Sequence, residues 1–348
     1  LSNGDTGPSS VRTLVQISRL YYEAGLTQEA IAGSVKLSRP TVSRALERAR
    51  MLGIVQIRVH DPEKSNATLS GALARRFGLR DVVLADPDSG APGATRTAVA
   101  RAGADYVQKR LRRGMVVGVT WGKTLRELVA ALPPGDIGGL SVVQLLGGLG
   151  AIEEHTTGLA EEMGRVVGAR VVKLLAPAIV ESEAARRAIM STAPVREGFE
   201  YFRRMQMALT GIGAVAENVP LVERHYVTPE FMRQMRRRGA VGEVLVQFMS
   251  SCGEIIPHPR CRVIGFPLED LPRVPLAIGV AAGPPDKSEA VLAALRGRLL
   301  HVLVTDVGTA QRVLELADQD GEPRVKVARR RPSSARRDRR PASRARSR

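Results

Sequence analysis

Cysteine is almost missing from this chain of 348 residues, and the two that occur, Cys252 and Cys261, form no CxxC and no ligand-spaced set. With only five histidines beside them, a disulfide framework and a structural zinc site both drop out. Long apolar runs are missing too. Nothing approaches the roughly 18 residues that cross a bilayer, and no charged-then-apolar signal segment opens the chain. A membrane partner is therefore not expected, and a cytoplasmic location is. Also lacking are ordered Ser/His/Asp or Cys/His sets for nucleophilic catalysis and a carboxylate pair for acid–base work. No enzyme activity, no metal and no cofactor are expected on those grounds.

What the chain has in excess is positive charge, with a formal net of +17. Ten arginines against one acid give residues 329–348 a charge of +9, and residues 1–60 carry +4, so the long middle is only mildly basic. A polyphosphate partner thus belongs to the two ends. Hydrophobic content of 44% with 25% charged residues is that of a globular protein, and the length suits a small domain followed by a large one.

The small domain is legible residue by residue. Residues 11–24 make a first helix, with Leu14, Ile17 or Ser18, and Tyr21 inward, and Gly25 ends it. Thr27 caps a second helix whose inner face holds Ala30, Ile31 and Val35. Leu37 sits in the turn, and Ser38 caps a third helix with Pro40 in its first turn. Val42, Ala45, Leu46 and Ala49 form the inward stripe of that helix, leaving Arg39, Thr41, Ser43, Arg44 and Arg48 outside. A short, polar, cationic face on the second helix of such a pair suits the DNA major groove. Gln28 is placed to meet the DNA backbone. After Gly53 the run Ile54 to Val59 alternates like a strand, which predicts a winged variant with Arg58 near the phosphates.

From about residue 64 strands alternate with helices. Expected strands are 82–85, 115–120, 141–146, 171–175, 208–211, 263–265, 276–280 and 302–305, and expected helices are 96–111, 124–131, 158–167, 288–295 and 309–316. Val/Leu/Ile strands spaced by amphipathic helices imply an α/β, Rossmann-like αβα layering around a mostly parallel sheet. Such sheets bind ligands beyond the carboxyl ends of their strands. The domains expected are 1–60 for DNA, 61–320 for an effector and oligomerisation, and a disordered arginine-rich tail at 321–348.

Three groups of loops could hold a ligand. In Gly118-Val119-Thr120-Trp121-Gly122-Lys123-Thr124 a strand runs into a helix start, so backbone amides, the Lys123 ammonium and the Thr124 hydroxyl converge as an anion would need. A Walker A loop is excluded, because Val117 stands where that motif needs glycine. Leu146-Gly147-Gly148-Leu149-Gly150 allows close backbone approach, for a ligand or for a tight turn equally. Glu153, Glu154, His155, Thr156 and Thr157 follow it and reach toward the same place. Residues 210–213, 283–287 and 305–306 complete the set, with Lys287 as a second cation.

The motifs SRPTVSR (38–44), VQIRVHDP (55–62), GVTWGKTL (118–125), VVQLLGG (142–148), ALTGIG (208–213), GAVGE (239–243), VIGFPLEDL (263–271) and VLVTD (302–306) occur in this order. With them the span 11–317 resembles the SorC family of bacterial transcriptional regulators, related to the central glycolytic gene regulator and deoxyribonucleoside regulators. The resemblance implies a helix-turn-helix, an effector domain like a sugar-phosphate isomerase without its catalysis, a homo-oligomer (dimer or tetramer) on double-stranded operator DNA, and a phosphorylated sugar as effector. It also implies that Trp121, Gly122, Lys123 and Thr124 line a phosphate site, that Gly147, Gly148 and Gly150 face the ligand, and that Glu254 and Lys287 stand at its rim. Leu146 departs from the family, which can place Lys or Arg there, so an imine at that position is excluded. Two rival readings are an isomerase-like enzyme with a DNA-binding head and an architectural protein acting through the arginine tail.

Overall fold

The computed structural model describes residues 10–55, 62–87, 91, 93–148, 158–223, 225–258, 262–283 and 287–319. The chain parts into two compact units between Ser65 and Asn66. The sequence placed that boundary after residue 60. The first unit holds helices α1 (Val11–Tyr22), α2 (Gln28–Val35) and α3 (Arg39–Met51). Each is capped at its start by a hydroxyl: Ser10 accepts from the Thr13 amide, Thr27 from Ala30 and Ser38 from Thr41. Leu14, Ile17, Ile31, Val42 and Leu46 are buried together, with Ile54 and Val55 packed against them. Ile17 and Ser18 are both buried, the latter because its hydroxyl donates to the Leu14 carbonyl at 2.7 Å. On α2 the inward alanine is Ala32, one turn on from Gln28, while Ala30 is exposed. Residues 56–61, with the expected wing and Arg58, lie outside the described residues.

The unit boundary falls inside α4 (Pro62–Phe77), a helix the sequence did not announce. The path continues through β1 (Asp81–Ala85), α5 (Ala94–Gln108), β2 (Val116–Val119), α6 (Lys123–Ala130), β3 (Ser141–Gln144), α7 (Gly158–Val167) and β4 (Arg170–Val172). Then come β5 (Ile179–Val180), α8 (Glu183–Met190), α9 (Ala193–Arg203), β6 (Met207–Gly211), β7 (Gly213–Ala214), α10 (Pro220–Glu223) and α11 (Pro229–Arg237). The last stretch is β8 (Ala240–Val244), β9 (Gln247–Ser250), β10 (Ile255–Ile256), β11 (Arg262–Val263), a 3-10 turn at Leu268–Arg273, β12 (Leu276–Val280), α12 (Lys287–Arg296), β13 (Val302–Asp306) and α13 (Val307–Gln319).

Seven strands make one parallel sheet in the order β1-β13-β12-β6-β2-β3-β4. Its side chains alternate with the two-residue period of a pleat. Val117, Leu209, Ile278 and Val304 pack toward α5, α6 and α7. Val116, Ala208, Ala277 and Leu303 pack the opposite way, with α9, α12, α13 and Leu73 of α4. Both faces are thus covered, as a wholly parallel sheet requires. A four-stranded antiparallel sheet, β10-β9-β8-β7, and a two-residue ribbon, β11-β5, complete the fold. Val263, expected in the main sheet, pairs instead with Ile179 in that ribbon.

Candidate functional site

Two surfaces carry the chemistry, one in each unit. In the first, the outward side of α3 presents Arg39, Ser43, Arg44 and Arg48 to solvent, and Pro40 is exposed beside them. Thr41 is half-buried because its hydroxyl pairs with that of Ser38 at 2.7 Å. Ser38 and Thr41 therefore serve the cap of α3, and the open polar groups are the arginines and Ser43. Gln28 opens α2 half-buried.

In the second unit the decisive feature is topological. Strands β2, β3 and β4 are laid down toward one edge, whereas β6, β12 and β13 are laid down toward the other. The reversal lies between β2 and β6, and the crevice beyond the carboxyl ends of such a pair is where open parallel sheets take ligands. Here that crevice is walled by the loop after β2, with Thr120, Trp121 and Gly122, and by Gly211, Ile212 and Gly213 after β6. The two loops touch: a Cβ on Gly211 would lie 3.6 Å from the Trp121 carbonyl oxygen. Trp121 meets the ring of Tyr226 edge-on at 5.7 Å, joining the crevice to the cluster around α11.

Among the described residues no side chain caps α6, so the amides of its first turn face the crevice with the positive end of the helix. Thr124 is buried in that turn, and the Lys123 ammonium reaches Glu223 of α10 at 3.3 Å. Across the crevice, Glu243 of β8 is buried hard against Gly213, where any Cβ would collide with its carboxylate. The Val246 amide donates to Glu243 Oε2 at 2.9 Å. Burial pushes the Glu243 carboxyl up to about 7, and the Val246 amide and Lys287 only partly offset that shift. Lys287, opening α12, donates to the Ala282 carbonyl at 2.8 Å. Asp306 closes β13 by capping α13, accepting from the amide and the hydroxyl of Thr309, both at 2.8 Å.

Three buried hydroxyls near this edge, on Thr120, Ser288 and Thr305, have no hydrogen-bond partner among the described residues. Buried polar groups are nearly always paired, so hydroxyls left this way point to water or ligand oxygens. A cavity of about 10 Å³ between Thr120, Trp121, Gln144 and Gly147 has room for a water.

Known proteins with this arrangement match in sequence and in structure. Residues 61–315 match the sugar-binding domain family Sugar-bind. The chain belongs to this family. The deoxyribonucleoside regulator of Bacillus subtilis is 29% identical over 85% of this chain and 95% of its own. The sorbitol operon regulator of Klebsiella pneumoniae is 28% identical over 88% of this chain and 98% of its own. The crystal structure of that full-length regulator, SorC, superposes with a TM-score of 0.66 at 27% identity, covering 87% of this chain and 98% of the other.

For this SorC-type chain the structure gathers Trp121, Gly122, Lys123 and Thr124 on one side of the crevice. Lys287 stands on the other, linked to them through Gly211, Gly213 and Glu243. The glycines after β3 serve a different purpose. The Gly147 amide donates to the Ile264 carbonyl at 3.0 Å and the Gly148 amide to Ala176 at 2.8 Å, so neither is open to an anion. A Cβ on Gly147 would sit 2.5 Å from the Ala176 oxygen, and glycine is there for backbone packing. Glu254 is a correction. It is exposed in the β9–β10 turn, next to Gly253, which abuts Gly297 at the carboxyl end of α12. Lys287 lies at the other end of that helix, roughly 15 Å away at 1.5 Å per residue. The acid that does face Lys287 is Glu243. Its signal was present as a lone carboxylate within the apolar strand AVGEV. Gly150 and Thr156 lie outside the described residues, as do Glu153, Glu154, His155 and Thr157.

Proposed function

We propose that this chain is a DNA-binding transcriptional regulator of carbohydrate genes whose hold on its operator is set by a phosphorylated sugar. The phosphate lies at the uncapped start of α6, near Lys123 and Thr124. The sugar hydroxyls meet Glu243, Lys287 and the unpaired hydroxyls of Thr120, Ser288 and Thr305. The observation that carries this reading is the buried Glu243 beside Lys287, at an edge where those three hydroxyls have no partner among the described residues. A polar ligand would satisfy them, and an apolar one would not. The names of the relatives, regulators of sorbitol and deoxyribonucleoside operons, support the class of effector.

At the other end, α2 and α3 act as a helix-turn-helix. Arg39 and Arg44 enter the major groove, where a bidentate contact to guanine is worth about 1–3 kcal/mol of discrimination. Arg48 and Gln28 hold phosphates. One such head covers too few base pairs for tight specific binding, so copies pair on repeated half-sites. The sugar phosphate favours one pairing over another, since a ligand with equal affinity for both arrangements shifts nothing. The test is a titration of the full chain against its own upstream DNA, with and without each member of a panel of pentose and hexose phosphates. One compound should change both the footprint and the Trp121 fluorescence. Identical footprints with every compound and with none would overturn the reading.

A further inference from the structure

A cavity of about 520 Å³ opens elsewhere in the large unit, between the β9–β10 hairpin, α11, α8 and the β5–β11 ribbon. It includes none of the side chains of Trp121, Lys123, Glu243 or Lys287. Its volume is that of a small-molecule pocket. We propose that it is a second ligand site, built for a flat organic monoanion such as an aromatic carboxylate.

The apolar part of the lining sets the body of that ligand. The Phe231 ring stacks on His258, with centroids 4.3 Å apart and planes 13° from parallel, and Phe248 lies 5.7 Å from Phe231. Ile179, Val246 and Val263 extend the same apolar wall. A sugar placed against these surfaces would bury hydroxyls without partners, whereas the face of a planar ring would pack against them. The charged part sets the head group. Arg186, Arg238 and Arg262 line the cavity with one carboxylate, Glu269, which is exposed. Glu183 accepts from Arg186 at 3.4 Å and pairs with Arg262 at 3.3 Å, so this one carboxylate offsets one of their two charges. Arg238 pairs with no carboxylate among the described residues, and one of its five donors reaches the Pro257 carbonyl at 3.3 Å. Three guanidiniums set against Glu183 and Glu269 leave one net positive charge, which suits a monoanion better than a phosphate dianion.

The site is tested by titrating the full chain with 1-anilinonaphthalene-8-sulfonate, an aromatic monoanion, and displacing it with benzoate. Saturable binding of one probe per chain is expected. Arg238→Ala should weaken it at least tenfold. Ile255→Glu, at a lining position 39% exposed, should do the same by repulsion without disturbing the core. Lys287→Ala should leave probe affinity unchanged. Wild-type affinity in both cavity variants, each with an unchanged melting temperature, would overturn the proposal. So would displacement of the probe by ribose 5-phosphate, or a stoichiometry of one probe per two chains.

Discussion

The two units handle charge in opposite ways. The three-helix unit keeps a small core of Leu14, Ile17, Ile31, Val42 and Leu46 and places its cations in water, each arginine of α3 standing clear of the fold. The large unit takes its key charge inside. Glu243 is fully buried and shifted to about 7, and the nearby hydroxyls are closed off from solvent. A rigid polyanion can be met by a preformed outer face, because the partner supplies the geometry. A small solvated molecule must be stripped of water, so its site has to be dug into a sheet large enough to tolerate buried polarity.

That contrast breaks first at the small core. Leu46→Ala empties a fully packed position and should cost about 2–5 kcal/mol, abolishing DNA binding while the large unit still melts as before. Two separate transitions in calorimetry would display this, and loss of both together would refute independence. Next comes the buried acid. Glu243 binds its proton more tightly folded than unfolded. Its contribution to stability is therefore complete below about pH 4.5 and is lost as pH rises through 7, a span worth about 3 kcal/mol. Glu243→Gln should flatten this part of the stability profile, as read from urea denaturation at pH 5 and pH 8. The exposed arginines follow. Arg39→Ala and Arg44→Ala should each weaken operator binding by about 1–3 kcal/mol with no change in melting temperature. Ser38→Ala removes a cap and should cost about 1 kcal/mol of stability in the three-helix unit alone, seen as a lower midpoint for that transition. Only a small change in stability is expected for Lys123→Ala. Its half-exposed pair with Glu223 contributes under about 1 kcal/mol, yet the fluorescence response of Trp121 to sugar phosphates should vanish.

The difference between the units also decides what could be read in advance. In α3 a single helical period sorts Val42, Ala45, Leu46 and Ala49 inward, because one amphipathic helix on a small core has no competing demands. Alanine at positions 30 and 32 carries no such information, and there the inward residue was misplaced. The main strands were visible as Val/Leu runs. Helix α4 was not, since PEKSNATLSGALARRF starts on proline, contains glycine and is largely polar. It is held by tertiary packing of Leu73, which is wholly buried, with Leu69, Ala74 and Phe77 around it. Strands of two residues, such as β7 and β10, are too short to show any period. The crevice edge was half legible. Loops at strand ends announced Trp121 through Thr124 and Lys287, but only the folded register turns Glu243 toward Lys287 and carries Glu254 to the far end of α12.

The strand reversal between β2 and β6 has a consequence for measurement. Trp121, Glu243 and Lys287 come from segments far apart along the chain, after β2, in β8 of the antiparallel sheet and at the start of α12, and converge only in the folded unit. Any occupant of the crevice therefore acts as a rivet between the two sheets. A ligand held at a hundred times its dissociation constant adds about 2.7 kcal/mol to the folding of the entire unit. A thermal-shift screen can thus detect the effector before the operator is known.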